Sequence, residues 1–144
     1  VHPGQIALEV TVRGFADPKI SAPAIAAFRR SGHPVYIDDF GTGYSSLSYL
    51  QDLDVDTLKI DKSFVDALEY KNVTPHIIEM AKSLKLAMVA EGVETAGQLA
   101  WLHQHGVQYG QGWYYSKALP KTEFILWQRI TSARTLLKVG FHHL

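Results

Sequence analysis

Short apolar runs, each followed by a segment of helical character, recur five times along this chain, and that alternation restricts the fold more than any other feature. The runs are Ile6-Ala7-Leu8-Glu9-Val10, Pro34 to Asp38, Asp56 to Asp61, Ala87 to Glu91 and Val107 to Gln111. Successive runs lie about 20 to 30 residues apart, which is the period of a βα unit. Repeated βα units predict a parallel sheet, open or closed, because parallel neighbours need a crossover connection. Closing a barrel takes eight such units and about 250 residues. This chain has five units in 144 residues, begins without Met, and opens on Val1-His2-Pro3-Gly4, which reads as the middle of a loop. The pattern therefore predicts a piece of a longer protein, lacking an N-terminal portion.

The intervening segments carry helix signals. Asp17 or Ser21 is a candidate cap for the first helix, with Pro23 in its opening turn, Ile25, Phe28 and Arg29 at helical spacing, and Gly32 as its stop. Ser45 to Leu53 places Leu47, Leu50 and Leu53 on one face. Ser63 to Tyr70 reads as a short helix, and Pro75 to Lys85 as a longer one with an apolar stripe of Ile77, Ile78, Ala81 and Leu84. Thr95 caps a helix that ends at Gly106, and Lys121 to Val139 forms a last helix with Phe124, Trp127, Ile130 and Leu137 turned inward. On the third strand, Leu58 and Ile60 take one face and Lys59 and Asp61 the other. His142-His143 falls at the chain end and is expected to be unstructured.

Composition narrows the function classes. With 47% hydrophobic residues the chain is globular and not disordered. Lys+Arg and Asp+Glu are equal at 14 each, so bulk charge gives no support for binding DNA, RNA or a membrane surface. The absence of cysteine removes disulfides, thiolate metal sites and Cys nucleophiles, and fits a cytoplasmic domain. No apolar run approaches the roughly 20 residues needed to span a bilayer, and no signal-peptide pattern opens the chain.

The chemistry lies at the strand ends. The second strand stops abruptly at Asp38-Asp39, followed by a loop with glycines at 41 and 43. Two acids side by side at the end of a buried strand are costly unless a cation sits with them. Strand one carries Glu9, strand three Lys59 and Asp61, strand four ends in Glu91 and strand five in Gln111. A single acid at a strand end is ordinarily a loop residue or a helix cap. Five polar ends converging on the carboxyl rim of one parallel sheet are not readily explained that way. Hard oxygen ligands with one lysine suit Mg²⁺ or Mn²⁺ and a phosphate-bearing substrate, and do not suit zinc.

With these residues in view, the chain resembles the C-terminal part of an EAL domain, the cyclic di-GMP phosphodiesterase family. The match rests on Leu8-Glu9-Val10-Thr11, on Asp38-Asp39-Phe40-Gly41-Thr42-Gly43-Tyr44-Ser45-Ser46-Leu47, on Leu58-Lys59-Ile60-Asp61-Lys62-Ser63-Phe64-Val65, on Ala90-Glu91-Gly92-Val93-Glu94-Thr95 and on Tyr109-Gly110-Gln111-Gly112. The resemblance implies an incomplete (β/α)8 TIM-type barrel, with residues 1–120 as the later part of the barrel and 121–144 as its terminal helix and tail. It implies metal-dependent hydrolysis of cyclic di-GMP to linear pGpG, with two divalent ions, Mg²⁺ or Mn²⁺, activating a water. It implies Glu9 and Asp38 as direct metal ligands, Asp38 able to bridge the ions, and Asp39 on the second ion. Lys59 then orients or helps deprotonate the attacking water, or stabilises charge on the phosphoryl oxygens. Glu91 holds a metal-bound water, Gln111 shapes the same site, Asp61 orients Lys59, and Glu94 supports its loop.

The chain also departs from the family pattern. The Glu-Ala-Leu motif and the asparagine ligand of the following strand would both lie before Val1, so two metal ligands and about three strands are expected to be missing. Val12 stands where the family has a second glutamate, three residues after Glu9, which is thought to pin the loop after the paired aspartates. These departures predict a weak enzyme unless a second copy or an upstream segment completes the barrel, and they keep open a non-catalytic EAL-like module that binds cyclic di-GMP or a protein. An upstream sensory or membrane domain in the parent is compatible with the resemblance. An open phosphatase or receiver-like α/β domain does not match the motifs. Scattered histidines (His33, His76, His103, His105) read as helix-surface residues, and Trp101, Trp113 and Trp127 as core or interface, with Trp113 close enough to Gln111 to line a cleft. Lys117 reads as part of a loop resembling the family's Ser-Lys-Pro tail.

Overall fold

The computed structural model describes residues 2–11, 18–41, 50–51, 53–68, 70, 72–132 and 142–143. After a 3-10 turn at Pro3–Gln5, the elements in chain order are β1 (Leu8–Thr11), α1 (Pro18–Arg30), β2 (Val35–Asp38), β3 (Thr57–Ile60), α2 (Lys62–Asp66), α3 (Val73–Ser83), β4 (Ala87–Ala90), α4 (Ala96–Gln104), β5 (Tyr109–Gly110), α5 (Lys121–Ser132) and β6 (His142–His143). The sheet runs in sequence order from β1 to β6. Its first five strands are parallel, and β6 adds antiparallel to β5, pairing Tyr109 with His143 and Gly110 with His142. Five parallel strands alternating with helices is the architecture that the βα period predicts. The terminal histidines, expected to be unstructured, instead supply backbone pairing to the free edge of β5.

The period-2 alternation sorts the sheet into two faces. Val35 and Ile37, Leu58 and Ile60, and Met88 and Ala90 pack into one apolar core with Ile25 of α1, Ile77, Ile78 and Ala81 of α3, and Leu102 of α4. The residues between them (Tyr36, Asp38, Thr57, Lys59, Ala87 and Val89) therefore face away from that core. Strand register sets them in layers: Tyr36 stands beside Thr57, and Thr57 beside Ala87, while Lys59 stands beside Val89 one layer higher. Each fully buried aliphatic side chain contributes about 1.5–3 kcal/mol of burial, so one-residue slips that exchange the two faces are strongly disfavoured.

Several boundaries differ from the sequence expectation. Helix α1 starts at Pro18, so Pro23 lies inside the helix and Ser21 is a helical residue and not a cap; the alternative cap Asp17 lies outside the described residues. A proline at the first helical position needs no amide partner, which lets the helix begin one turn earlier than Pro23. Strand β1 begins at Leu8 because the Ile6 amide is used by the Pro3 carbonyl at 3.0 Å. Strand β5 is only Tyr109–Gly110, since the Val107 amide closes the end of α4 on the Leu102 carbonyl at 3.1 Å. In α5, Phe124 and Trp127 are half-buried with rings 6.2 Å apart, but Ile130 is 69% exposed. Leu137, Val12 and most of the helix expected over Ser45 to Leu53 lie outside the described residues; of its face, Leu50 and Leu53 are buried. Among the described residues no helix is long and apolar enough to cross a membrane.

At the amino ends of the strands, Asp56 ties three elements together. Its Oδ1 and Oδ2 accept from Arg29 Nη2 at 2.7 Å and Nε at 3.3 Å, and Oδ2 also accepts from the Val35 amide at 2.8 Å. Its backbone accepts from the Ala87 amide at 3.0 Å, and Arg29 extends to Asp54 as well. A bidentate arginine–carboxylate pair fixes geometry as well as charge. Asp56→Ala should lower unfolding stability by about 2 kcal/mol, because the Val35 amide loses its acceptor and Arg29 is left with Asp54 alone. The check is a urea titration, and an unchanged midpoint would show that the pair contributes nothing.

Candidate active site

At the carboxyl end of the sheet, the alternation brings Glu9 from β1, Asp38 from β2, Lys59 from β3 and Glu91 from the end of β4 onto one rim. Lys59 is the centre of the group. It is 3% exposed, and its Nζ lies 2.7 Å from Glu91 Oε1, 2.9 Å from Glu9 Oε2 and 3.5 Å from Asp38 Oδ1. A buried ammonium is tolerated only when paired and hydrogen-bonded, and here three strands supply the acceptors. Gln111 completes the set: its Nε2 donates to Glu91 Oε1 at 3.5 Å, and its backbone amide donates to the Ala90 carbonyl at 2.9 Å.

The electrostatics are uneven. Burial pulls Lys59 down, but the hydrogen bonds to Glu91 and Glu9 outweigh it and hold the ammonium above its ordinary range. For Glu91 burial pushes the carboxyl up, the hydrogen bond from Lys59 pulls it back, and the neighbouring charges of Asp38 and Glu9 push upward again, leaving a net rise. Both partners thus move up. The cation has several acids to satisfy it, whereas each acid shares one cation with its competitors. Three carboxylates against one ammonium leave a surplus of two negative charges on the rim.

The paired aspartates divide the work. The Asp39 amide donates to Asp38 Oδ1 at 2.9 Å, and Asp39 itself has φ 56°, the left-handed region that costs most non-glycine residues roughly 1–2 kcal/mol. Asp tolerates this better than most, and the turn takes residue 39 out of the extended backbone of β2. Gly41, at φ 88°, passes so close to Phe64 that a Cβ there would lie 2.9 Å from the ring. Asp61, expected to orient Lys59, caps α2 instead, its Oδ1 accepting from the Ser63 amide at 2.9 Å and from the Ser63 hydroxyl. The free amides of a helix start compete for that carboxylate, and Lys59 is oriented by Glu9, Asp38 and Glu91.

The loop after Glu91 is held from several directions. The Val93 amide donates to the Gln111 carbonyl at 3.0 Å and the Tyr114 amide donates to the Val93 carbonyl at 2.9 Å. Gly112 lies against the same stretch so closely that a Cβ would fall 2.3 Å from Val93 backbone atoms. Thr95 and Gln98 form a capping box for α4, with Gln98 Oε1 also accepting from the Glu94 amide at 2.8 Å. Glu94 Oε1 meets Lys62 Nζ at 3.0 Å, an ion pair between this loop and the start of α2. Beyond Gln111 opens a cavity of about 570 Å³, lined by the rings of Trp113, Phe124 and Trp127 and by Lys62, Lys117 and Gln111. Trp113 is 64% exposed, with Lys117 Nζ 4.9 Å from its ring centroid. The other tryptophan, Trp101, stacks on His105 at 3.6 Å away from this site.

Sequence reasoning missed Lys62 and the Val93–Gly112 interlock. Lys62 sits inside a quoted motif, but only the fold brings it across to the β4 loop.

As to metal, the donor set is all carboxylate oxygen, which fits a Mg²⁺- or Mn²⁺-class ion, and the negative surplus calls for further cationic charge. Among the described residues no three His, Asp or Glu side chains gather closely enough to hold an ion between them. The ammonium of Lys59 occupies the point on which they converge.

Comparison with known proteins gives relatives in both sequence and fold. Residues 1–118 match the model of the EAL domain. The chain is 76% identical over 127 residues to the probable cyclic di-GMP phosphodiesterase PdeB of Escherichia coli K12, which covers 88% of this chain and 25% of that protein. A solved structure of the PaMucR phosphodiesterase in complex with c-di-GMP superposes with a TM-score of 0.79 at 34% identity, over 85% of this chain and 52% of that one. Klebsiella pneumoniae BlrP1, solved as a manganese/cy-diGMP complex, gives 0.71 at 31% identity, over 81% and 31%.

Replacing Lys59 by Met should raise the Glu91 carboxyl further, since burial would then act without its opposing hydrogen bond. Carboxyl ¹³C NMR titration in metal-free buffer reads this directly. Because the folded-state value is already raised, protonated Glu91 stabilises the fold below the ordinary carboxyl range near about 4.3, and that contribution is lost as pH rises through the raised value. Lys59, also raised, stabilises fully below about 10.4 and stops doing so as pH climbs through its folded-state value.

Proposed function

The chain belongs to the EAL domain family, the cyclic di-GMP phosphodiesterases, and we propose on that premise that its rim is part of a site hydrolysing cyclic di-GMP to linear pGpG. The observation that carries the reading is the convergence of Glu9, Asp38 and Glu91 on the buried Lys59, with Gln111 bonded to Glu91. Glu9, Asp38 and Asp39 would hold Mg²⁺ or Mn²⁺ only together with further ligands, since these side chains do not by themselves gather around one point. Such ions, when bound, supply a nucleophilic water and compensate phosphoryl charge. Lys59 Nζ, held among these acids, sets positive charge against the phosphoryl oxygens, or orients or helps deprotonate the attacking water. Glu91, whose Oε1 accepts from Lys59 and from the Gln111 side-chain amide, would hold a metal-bound water. The exposed Trp113 ring beside Gln111 offers a flat face on which a guanine base can stack.

Among the described residues the sheet is open, with β1 at one edge. Further strands, or a second copy of the chain, would supply the remaining ligands, and these groups alone make a poor catalyst. The competing reading is a module that binds the dinucleotide without cleaving it, favoured by Val12 in place of an acid.

The test is chromatographic detection of pGpG with Mg²⁺ and with Mn²⁺, on this chain and on one extended upstream to close the barrel. Turnover is expected in the extended chain, reduced by roughly 10²–10³ in Lys59→Met and abolished by chelation. Binding of cyclic di-GMP without any product in the extended chain would sink the enzymatic reading.

A further inference from the structure

Lys62 is a side chain that this reaction scheme leaves unused, although it crosses between two elements of the site. It opens α2, directly after the capping Asp61, and α2 is fastened to α3 by the Thr74 hydroxyl, which donates to the Phe64 carbonyl at 3.1 Å. From that fixed base the Lys62 ammonium reaches Asp66 Oδ1 at 2.9 Å and Glu94 Oε1 at 3.0 Å. Its aliphatic stem lies across Gly92. A Cβ on Gly92 would fall 2.4 Å from Lys62 Cγ and 2.6 Å from Cδ, and Gly92 has φ 65°. Only a residue without a side chain lets the stem press on the backbone there.

Gly92 is the residue immediately after Glu91. On one side its loop is pinned by the Gln111–Val93–Tyr114 backbone bonds, and downstream by the Thr95–Gln98 capping box. The side facing α2 is covered by Lys62. We propose that Lys62 is a positioning residue: it clamps Gly92 between α2 and the β5 loop, and so holds the Glu91 carboxylate against Lys59 and Gln111. The proposal deepens the function argued above and rests on it for its kinetic consequence. The clamp is partly exposed, with Lys62 and Glu94 side chains 46% and 37% accessible, so the ion pair adds little to global stability. Its effect is local.

The measurement that isolates it is hydrogen exchange at the Gly92, Val93 and Glu94 amides of this chain. Lys62→Ala removes stem and charge, Lys62→Met keeps the stem, and Lys62→Arg keeps both. Exchange is expected to speed up roughly tenfold or more in Lys62→Ala, less in Lys62→Met, and hardly at all in Lys62→Arg, while core amides such as Met88 stay unchanged. In the barrel-closing chain, Lys62→Ala should lower kcat roughly 10-fold with KM nearly constant, in line with other residues that orient a catalytic group, and Lys62→Arg should restore it. Unchanged exchange at 92–94 in Lys62→Ala overturns the clamp. So does a change in KM alone, which would make Lys62 a substrate contact. A barrel-closing chain with Lys62 intact that shows no turnover would remove the catalytic reading while the exchange data still decide the clamp.

Discussion

One buried ammonium governs this rim. Lys59 is nearly sealed from solvent, and its Nζ draws carboxylates from β1, β2 and the end of β4 onto a common point. Desolvating such a charge is costly by several kcal/mol unless its partners are well placed. The strands must therefore keep their register for the charge to be tolerated, and the register in turn delivers the acids. The same arrangement leaves the acids in excess. That surplus is stored negative potential, aimed at the face of the sheet where further cationic charge can enter.

Beneath this electrostatic centre, the rim is built from backbone and not from side chains. Gly112 and Val93 approach so closely that neither loop can shift without the other, and the amide bonds between Gln111, Val93 and Tyr114 run through the contact. Glu91 and Gln111 thus belong to one rigid piece, although twenty residues separate them in the chain. Lys62 adds a side-chain brace from α2, on the side those backbone bonds leave open.

Much of this was legible in the sequence because parallel βα architecture writes itself twice, once as spacing and once as alternation. The five apolar runs gave the five parallel strands, and period-2 alternation separated Leu58 and Ile60 from Lys59. The polar strand ends pointed to Glu9, Asp38, Lys59, Glu91 and Gln111 before any geometry was known. What escaped was set by competition or by distance. Asp61 follows the last residue of β3, where a helix begins and its free amides take the carboxylate. Asp39 directly follows the strand, and its left-handed backbone is not something the alternation of the strand foretells. The extent of β5 depended on where α4 closed, and β6 on an edge that only tertiary pairing reveals. Lys62 and Glu94 are an ion pair between elements far apart in sequence, which no local pattern encodes.

The Arg29–Asp56 anchor sits at the opposite ends of the same strands, bonding α1 to the starts of β2, β3 and β4. Asp56 and Lys59 are three residues apart on one continuous segment, yet one is devoted to holding the sheet and the other to its chemistry. Groups separated along a strand without shared partners combine nearly additively. The protein can therefore drift in robustness at one pole while its reactive pole is retained, or lose reactivity while the scaffold persists. A lineage of such domains that sheds the acids of its rim must also replace Lys59, since the ammonium left behind would be buried without partners.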